Sequence, residues 1–288
     1  MRRQQLDQAS TILDQLQEIE SDLPFYLFTK AEIAFRADDF DQTLALLRKR
    51  AEKLGSTQLP EITLIDWYRK DQKPEKAEQL LGETLQKNPD VAELHLMTAS
   101  MHLQKEQFPD ALVSVSKFER LSRETNLSID IKARVAFAGQ SYGVAESHFK
   151  KLIDRVPSDL SIRNIYALCL IESEDPEKRK LAKKISELVA RQLGRNPLAA
   201  ATLGYILLKT DNMPAANQIM NRIVATQSGS AEVTYLIAQW QYEVGQKESA
   251  GKLLEKIVGV NSLFLYRSAA KSLLQKIKSE TASESGTK

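Results

Sequence analysis

Residues 92–125 read AELHLMTASMHLQKEQFPDALVSVSKFERLSRET, and they contain two helix-forming stretches separated by a short turn. Apolar residues recur in both stretches at intervals of three and four, the spacing of an amphipathic helix. Ala99 stands in the first stretch and Ala111 in the second, and Phe108 opens the second stretch. Because the distance between packed helices depends on the side chains at their contact, the two alanines predict a closely packed helix–turn–helix unit.

The same unit recurs along the chain with a period of 34 residues. The turn residues Phe40, Pro74, Phe108 and Tyr142 are each 34 residues apart. With each repeat numbered from 1, position 8 reads Ala31, Ile65, Ala99, Ala133, Ala167, Gly204 and Ala238. Position 20 reads Thr43, Ala77, Ala111, Ala145, Ala182, Ala216 and Ala250. Small residues thus return at two fixed positions, which indicates a repeat architecture.

This pattern resembles the tetratricopeptide repeat, a 34-residue helix–turn–helix unit, and the resemblance covers residues 3–278. It implies an all-α, right-handed superhelical solenoid of about seven units, and no stretch of alternating residues indicates a strand. Two departures stand out. Ile65 is large for a close helix crossing, and the fifth repeat spans 37 residues, with the extra residues expected near SEDPEKRK at 173–180.

The predicted organisation is a single solenoid over residues 1–278. Its seven repeats are expected at 24–57, 58–91, 92–125, 126–159, 160–196, 197–230 and 231–264. A half repeat at 3–23 has two explanations, a chain taken from a longer array or a native cap. A capping helix is expected at 265–278, and residues 279–288 are polar enough to predict a disordered tail.

A solenoid of this kind presents a long concave surface to its partners. The resemblance implies that positions 2, 5, 9, 12 and 13 of each first helix face this groove. The candidate partner-binding residues at those positions are Phe28, Phe35, Arg36, Ile62, Arg69, Lys70, Leu96, Leu103, Arg134, Phe137, Tyr205, Leu208, Tyr235 and Tyr242. For each aromatic residue the alternative is packing against an adjacent helix.

The groove candidates combine aromatic and branched side chains with charges of both signs. This composition suits a peptide or an amphipathic helix of another protein, bound through apolar anchors. Arg36, Arg69, Lys70 and Arg134 make the first half of the chain the better place for acidic groups on that partner.

The composition argues against several other classes of protein. The apolar share of 42% and the charged share of 27% are typical of a folded chain, and the net charge of +2 argues against a nucleic-acid binder. The single cysteine, Cys169, excludes an intrachain disulfide. No apolar run is long enough to span a membrane, and neither a glycine-rich phosphate loop nor a zinc-protease motif is present. We therefore expect no cofactor, no metal and no enzymatic activity.

The sequence thus predicts a non-enzymatic scaffold that binds another protein in its concave groove. The alternative is self-assembly through the groove or an exposed terminal helix. Stretches such as ATLGYILLKTDN at 201–212 are similar to repeats of bacterial tetratricopeptide-repeat proteins, some of which accompany exopolysaccharide export, so a link to the bacterial envelope belongs to this alternative. The cytoplasm is the default location, and the periplasm follows if the chain is a piece of a longer exported protein.

Overall fold

The structure, a computed structural model, describes residues 23–225, 229–260 and 263–285, and the side chains up to residue 281. The predicted half repeat at 3–23 lies outside the described residues, except for Leu23. The described residues form fifteen helices and no strand, which confirms the all-α helical-repeat fold. The helices are α1 Pro24–Arg36, α2 Phe40–Leu54, α3 Pro60–Lys70, α4 Pro74–Lys87, α5 Ala92–Gln104, α6 Phe108–Leu121, α7 Asn126–Ala138, α8 Tyr142–Arg155, α9 Leu160–Ile171, α10 Pro176–Leu193, α11 Pro197–Lys209, α12 Met213–Ala225, α13 Ala231–Glu243, α14 Lys247–Ile257 and α15 Arg267–Ser285.

The chain divides within α5 into two compact units, unit 1 up to Thr98 and unit 2 from Ala99. In unit 1, α1 packs on α2, α3 packs on α4, and α2 also contacts α3. In unit 2, the pairs α7/α8, α9/α10, α11/α12 and α13/α14 pack in succession, and α15 packs on α14. Within each unit, helices therefore contact their neighbours in the chain, as expected for a repeat array.

The small residues of the repeat are buried between helices. The alanines at positions 8 and 20 are completely buried, as is Thr43. A side-chain carbon added to Gly204 would lie 3.0 Å from the Met220 Cε atom, so this helix pair has no room for a larger residue without adjustment. Ile65, the large residue at position 8, is also completely buried.

The turn inside most repeats has one backbone geometry. Position 15 adopts a left-handed conformation, with φ between 57° and 84°, at Asp38, Gln72, Glu106, Gln140, Asp211 and Gly245. The residue after it donates its N–H to the carbonyl oxygen five positions earlier, for example Ser141 to Ala136 at 2.8 Å. This is the hydrogen bond of a left-handed helix C-cap. The fifth repeat, with its longer sequence, ends its first helix differently, at Glu172 with φ −78°.

The end of the chain differs from the prediction in two ways. The last helix begins at Arg267 instead of residue 265, and residues 263–266 precede it without helical structure. It also continues through Ser285, where the sequence predicted a disordered tail from 279. The extension has a physical reason, because Glu280 accepts a hydrogen bond from the Tyr242 hydroxyl at 2.8 Å and pairs with Lys247 at 3.1 Å.

Candidate functional site

An open pocket of about 390 Å³ lies on the first-helix side of unit 1. We call it the α1/α3 pocket, and its lining residues are Phe28, Glu32, Phe35, Arg36, Trp67, Lys70 and Asp71. The Trp67 ring meets Phe28 at 5.3 Å and Phe35 at 5.4 Å between ring centroids, so the three rings form one aromatic wall. Phe35 is buried, while Phe28 and Trp67 are half-buried. The half-buried rings offer apolar surface to an incoming side chain.

Charges of both signs surround this aromatic wall. Arg36 pairs with Glu32 at 3.2 Å, both on α1 and both well exposed. Lys73 pairs with Asp71 at 2.9 Å and with Asp38 at 3.0 Å. A hydrogen bond from Lys73 lowers the pKa of Asp38. The rim of the pocket therefore presents cations and anions side by side.

The other unit 1 candidates, Ile62, Arg69 and Leu96, do not line the pocket. Ile62 is buried and is not available to a partner, and Leu96 is half-buried. Arg69 lies 3.5 Å from Asp66 on its own helix. The Arg50 guanidinium lies over the Phe28 ring, 4.8 Å from its centroid. The pocket thus gathers Phe28, Phe35, Arg36 and Lys70 from the predicted set and leaves Ile62 in the core.

In unit 2, four groove candidates are buried by the chain itself. Phe137, Tyr205, Leu208 and Tyr235 are each at most 9% exposed. Two of them, Phe137 and Tyr235, contact residues 263–267, which we call the seated segment. Tyr266 of this segment stacks on Tyr235 with 4.6 Å between ring centroids. These four positions therefore do not present an open surface while the segment is in place.

Leu103, Arg134 and Tyr242 also lie in unit 2. Leu103 is buried, and the half-buried Arg134 donates from Nε to Asp130 at 2.7 Å. Tyr242 faces α15, because its hydroxyl donates to Glu280 and Lys276 lies 4.9 Å from its ring. The repeat register places these three residues on first helices. It does not predict that the last helix, α15, covers Tyr242.

The described residues hold no obvious catalytic arrangement. No group of three or more His, Cys, Asp or Glu within them could bind a metal ion. Cys169 is buried, and this burial raises the pKa of its thiol, which keeps it protonated and unreactive at neutral pH. Within the described residues, every helix is too short or too polar to cross a bilayer.

Two site residues escaped the sequence analysis. Trp67 occupies position 10 of its repeat, which is not among the predicted groove positions, yet it lines the α1/α3 pocket and contacts both Phe28 and Phe35. Glu106 occupies the left-handed turn position 15 and binds Arg267 of the seated segment at 2.6 Å. An aromatic residue close to Arg69 and Lys70 in the sequence was an available signal for Trp67, whereas a glutamate in a turn carries none.

Comparison with known proteins agrees with the repeat architecture. Residues 63–115 match a family model described as tetratricopeptide repeat. No curated protein matches the sequence.

Solved structures of similar fold come from several sources. A tetratricopeptide repeat protein from Parabacteroides merdae has a TM-score of 0.60 and 15% identity, over 88% of this chain and 98% of that chain. The APC/C hetero-tetramer Cut9–Hcn1 has a TM-score of 0.55 and 13% identity, over 97% of this chain and 53% of that chain. PilW, a type IV pilus biogenesis factor, has a TM-score of 0.52 and 12% identity, over 68% and 90%. At these identities the likeness concerns the fold alone.

Proposed function

We propose that this chain, which is a tetratricopeptide-repeat protein, is a non-enzymatic scaffold that binds a segment of a partner protein at the α1/α3 pocket. Proteins of this fold generally bind other proteins or peptides. The observation that carries the proposal is the open aromatic pocket at Phe28, Phe35 and Trp67, on the first-helix side of unit 1. An aromatic or aliphatic side chain of the partner would pack on the half-buried rings of Phe28 and Trp67.

The rim of the pocket supports a partner with mixed polarity. Lys70 is exposed, and within the described residues no ion pair occupies it. Arg36 is engaged only by the neighbouring, equally exposed Glu32 among those residues. An acidic residue next to the apolar anchor of the partner would therefore find two cations within the same pocket. Such exposed pairs add modest affinity and mainly fix orientation.

Self-assembly is the second candidate function, and the two are separable in solution. A scaffold that recruits a different protein stays monomeric across concentration, whereas a self-assembling chain gains mass as its concentration rises. Light scattering from micromolar to near-millimolar concentration distinguishes them. A link to the bacterial envelope belongs with this second candidate.

The test uses Trp67 as a built-in reporter. The chain has two tryptophans, and a Trp240→Phe background leaves Trp67 as the only one. Peptides selected from a random library against the whole chain are titrated into this protein. We expect them to change Trp67 emission. Reversing two rim charges, Arg36→Glu with Lys70→Glu, should weaken acidic selected peptides by about 10-fold, as expected for the loss of two exposed ion pairs.

The control variant changes the net charge equally elsewhere. Lys87→Glu with Lys117→Glu alters exposed lysines that do not line the pocket. This variant should bind the peptides like the parent protein. We avoid Phe35→Asp, because a charge at that buried position would test folding instead of binding. Selected peptides that bind tightly without altering Trp67 emission, and bind the rim variant unchanged, would disprove the proposal.

A further inference from the structure

The seated segment buries its side chains although it has no regular structure. Phe264, Leu265 and Tyr266 are 1%, 8% and 7% exposed, respectively. All three belong to one hydrophobic cluster with residues of the repeat helices of unit 2, so those helices surround the segment.

The aromatic contacts of the segment fall on predicted groove positions. Tyr266 stacks on Tyr235 of α13 and meets Phe137 of α7 edge to face at 5.1 Å between centroids. Phe264 lies edge-on to Tyr235 at 6.3 Å. Phe137 and Tyr235 are groove candidates of the fourth and seventh repeats. The segment therefore contacts the surface that the repeat register assigns to a partner.

The Glu106 carboxylate binds two polar groups of the segment. Glu106 accepts a hydrogen bond from the Phe264 backbone N–H at 3.1 Å and from the Arg267 Nε at 2.6 Å. The remaining guanidinium nitrogens of Arg267 donate to the carbonyl oxygens of Val258 and Val260 at 2.7 and 2.8 Å. Glu106 thus binds one backbone amide and one arginine side chain. Any extended peptide with a suitably placed arginine provides these two groups.

One polar atom of the segment lacks a hydrogen-bond partner among the described residues. The Tyr266 hydroxyl is buried, and it has no hydrogen-bond partner among the described residues. The neighbouring Tyr205 hydroxyl, by contrast, donates to Glu172 at 2.6 Å. An unpaired buried hydroxyl is unfavourable. A ligand that satisfies this position would bind the same surface more tightly than the seated segment does.

We infer that this surface of unit 2 is a second peptide-binding site, that it recognises a partner segment with two aromatic residues two positions apart followed by arginine, and that residues 263–267 occupy it as a built-in competitor. The inference rests on the proposed function, because it assigns a partner chemistry to the same first-helix side of the repeats. It concerns unit 2 alone and does not depend on the α1/α3 pocket.

The test asks whether the surface binds the sequence of its own segment when that segment is removed. The probe is a fluorescein-labelled peptide, LFLYRS, which copies residues 263–268. In the full chain, Tyr266→Ala with Arg267→Ala removes the ring and the guanidinium that hold the segment and leaves Glu106, Phe137 and Tyr235 intact. By fluorescence anisotropy, this variant should bind the peptide at least about 10-fold more tightly than the parent chain, whose site is open only a small fraction of the time.

Three controls define the interpretation. The peptide LFLYES, with arginine replaced by glutamate, should not bind the opened variant. Lys256→Ala, which removes an exposed cation elsewhere on α14, should leave the chain closed to the peptide. The pocket change Arg36→Glu with Lys70→Glu, added to the opened variant, should leave its affinity for LFLYRS unchanged. This last control separates failure here from failure of the proposed function.

An opened variant with the parent's circular dichroism that binds LFLYRS no better than the parent would overturn the inference, since the segment would then be an ordinary part of the core. If the double variant does not fold, Arg267→Ala alone replaces it, because this side chain is 16% exposed and lies at the edge of the site. The same comparison with LFLYRS then decides the question. Equal binding of LFLYRS and LFLYES would also overturn the inference.

Discussion

At Glu124, three cationic side chains converge on one carboxylate. Lys151, Arg155 and Lys132 approach it at 2.6, 2.9 and 3.2 Å, from α8 and α7. The hydrogen bond from Lys151 and the contact with Lys132 lower the pKa of Glu124 to about 2 in the folded chain. The residue lies in the connection before α7, so the cluster ties this connection to both helices of the fourth repeat.

The lowered pKa predicts a specific loss of stability in acid. A carboxyl whose folded-state pKa lies below its unfolded-state pKa stabilises the fold above the unfolded value, and that contribution disappears as pH falls toward the folded value. We therefore expect Glu124 to contribute roughly 1–2 kcal/mol to the free energy of unfolding at pH 7, and this contribution is lost progressively between about pH 5 and pH 2.

In urea unfolding, Glu124→Gln should show a smaller drop in the free energy of unfolding from pH 7 to pH 3 than the parent protein. Glu187→Gln, at an exposed residue of α10, should keep the parent's drop. Identical pH dependence in Glu124→Gln and the parent would refute the cluster's role.

Gly204 and Gly82 allow the same substitution to be made with and without a neighbour. Both lie inside helices, but a side-chain carbon at Gly204 would meet the Met220 Cε and Sδ atoms at 3.0 and 3.2 Å, whereas at Gly82 it would meet nothing within 4 Å. Alanine at Gly82 should raise the free energy of unfolding by about 0.5–1 kcal/mol through helix propensity. At Gly204 the crowding should cancel that gain or exceed it by about 1 kcal/mol. Thermal and urea unfolding of the two variants measures the difference, and an equal gain at both sites would contradict close packing at position 8.

At the scale of elements, the left-handed turn is the feature shared by most repeats. Gln72 and Gln140 adopt φ values of 57° and 59°, a conformation that is unfavourable for a residue with a side chain. Gln72→Gly and Gln140→Gly should each raise the free energy of unfolding by roughly 0.5–1 kcal/mol, because glycine adopts this conformation without strain. Gly245→Ala should lower the free energy of unfolding, since Gly245 has φ 84°. Urea unfolding checks both directions, and a loss of stability in both glutamine variants would contradict the turn geometry.

The sequence predicted elements best where the repeat period constrains them. Burial of Ala99, Ala133 and Ala167 follows from the period alone, because a small residue that returns every 34 positions has one structural explanation, close helix packing. The left-handed turns gave no such signal, since glutamine and glutamate are not typical of that conformation. Residues 263–266 were predicted within or next to a helix, because an apolar run fits a buried helix as well as a buried irregular segment. Only tertiary contacts distinguish the two.

At the scale of the whole chain, the 34-residue register predicted which side of each first helix faces a partner. It did not predict which of these surfaces the chain covers with its own residues. Phe28, Arg36 and Lys70 remain accessible in the α1/α3 pocket, while Phe137 and Tyr235 are covered by the seated segment. The difference arises from residues far apart in sequence, such as Glu106 and Arg267, whose contact no local pattern reveals. Partner binding at the pocket of unit 1 and at the covered surface of unit 2 is therefore proposed separately for each unit.

Hydrogen exchange of the full chain, with and without a peptide selected for binding, tests the central claim most directly. If the partner binds at the α1/α3 pocket, backbone amides of α1 and α3 should exchange more slowly in the complex, because a bound ligand suppresses local opening of the helices it contacts. Slower exchange confined to α2 and α4, with α1 and α3 unchanged, would place the partner on the other side of the repeats and contradict the account.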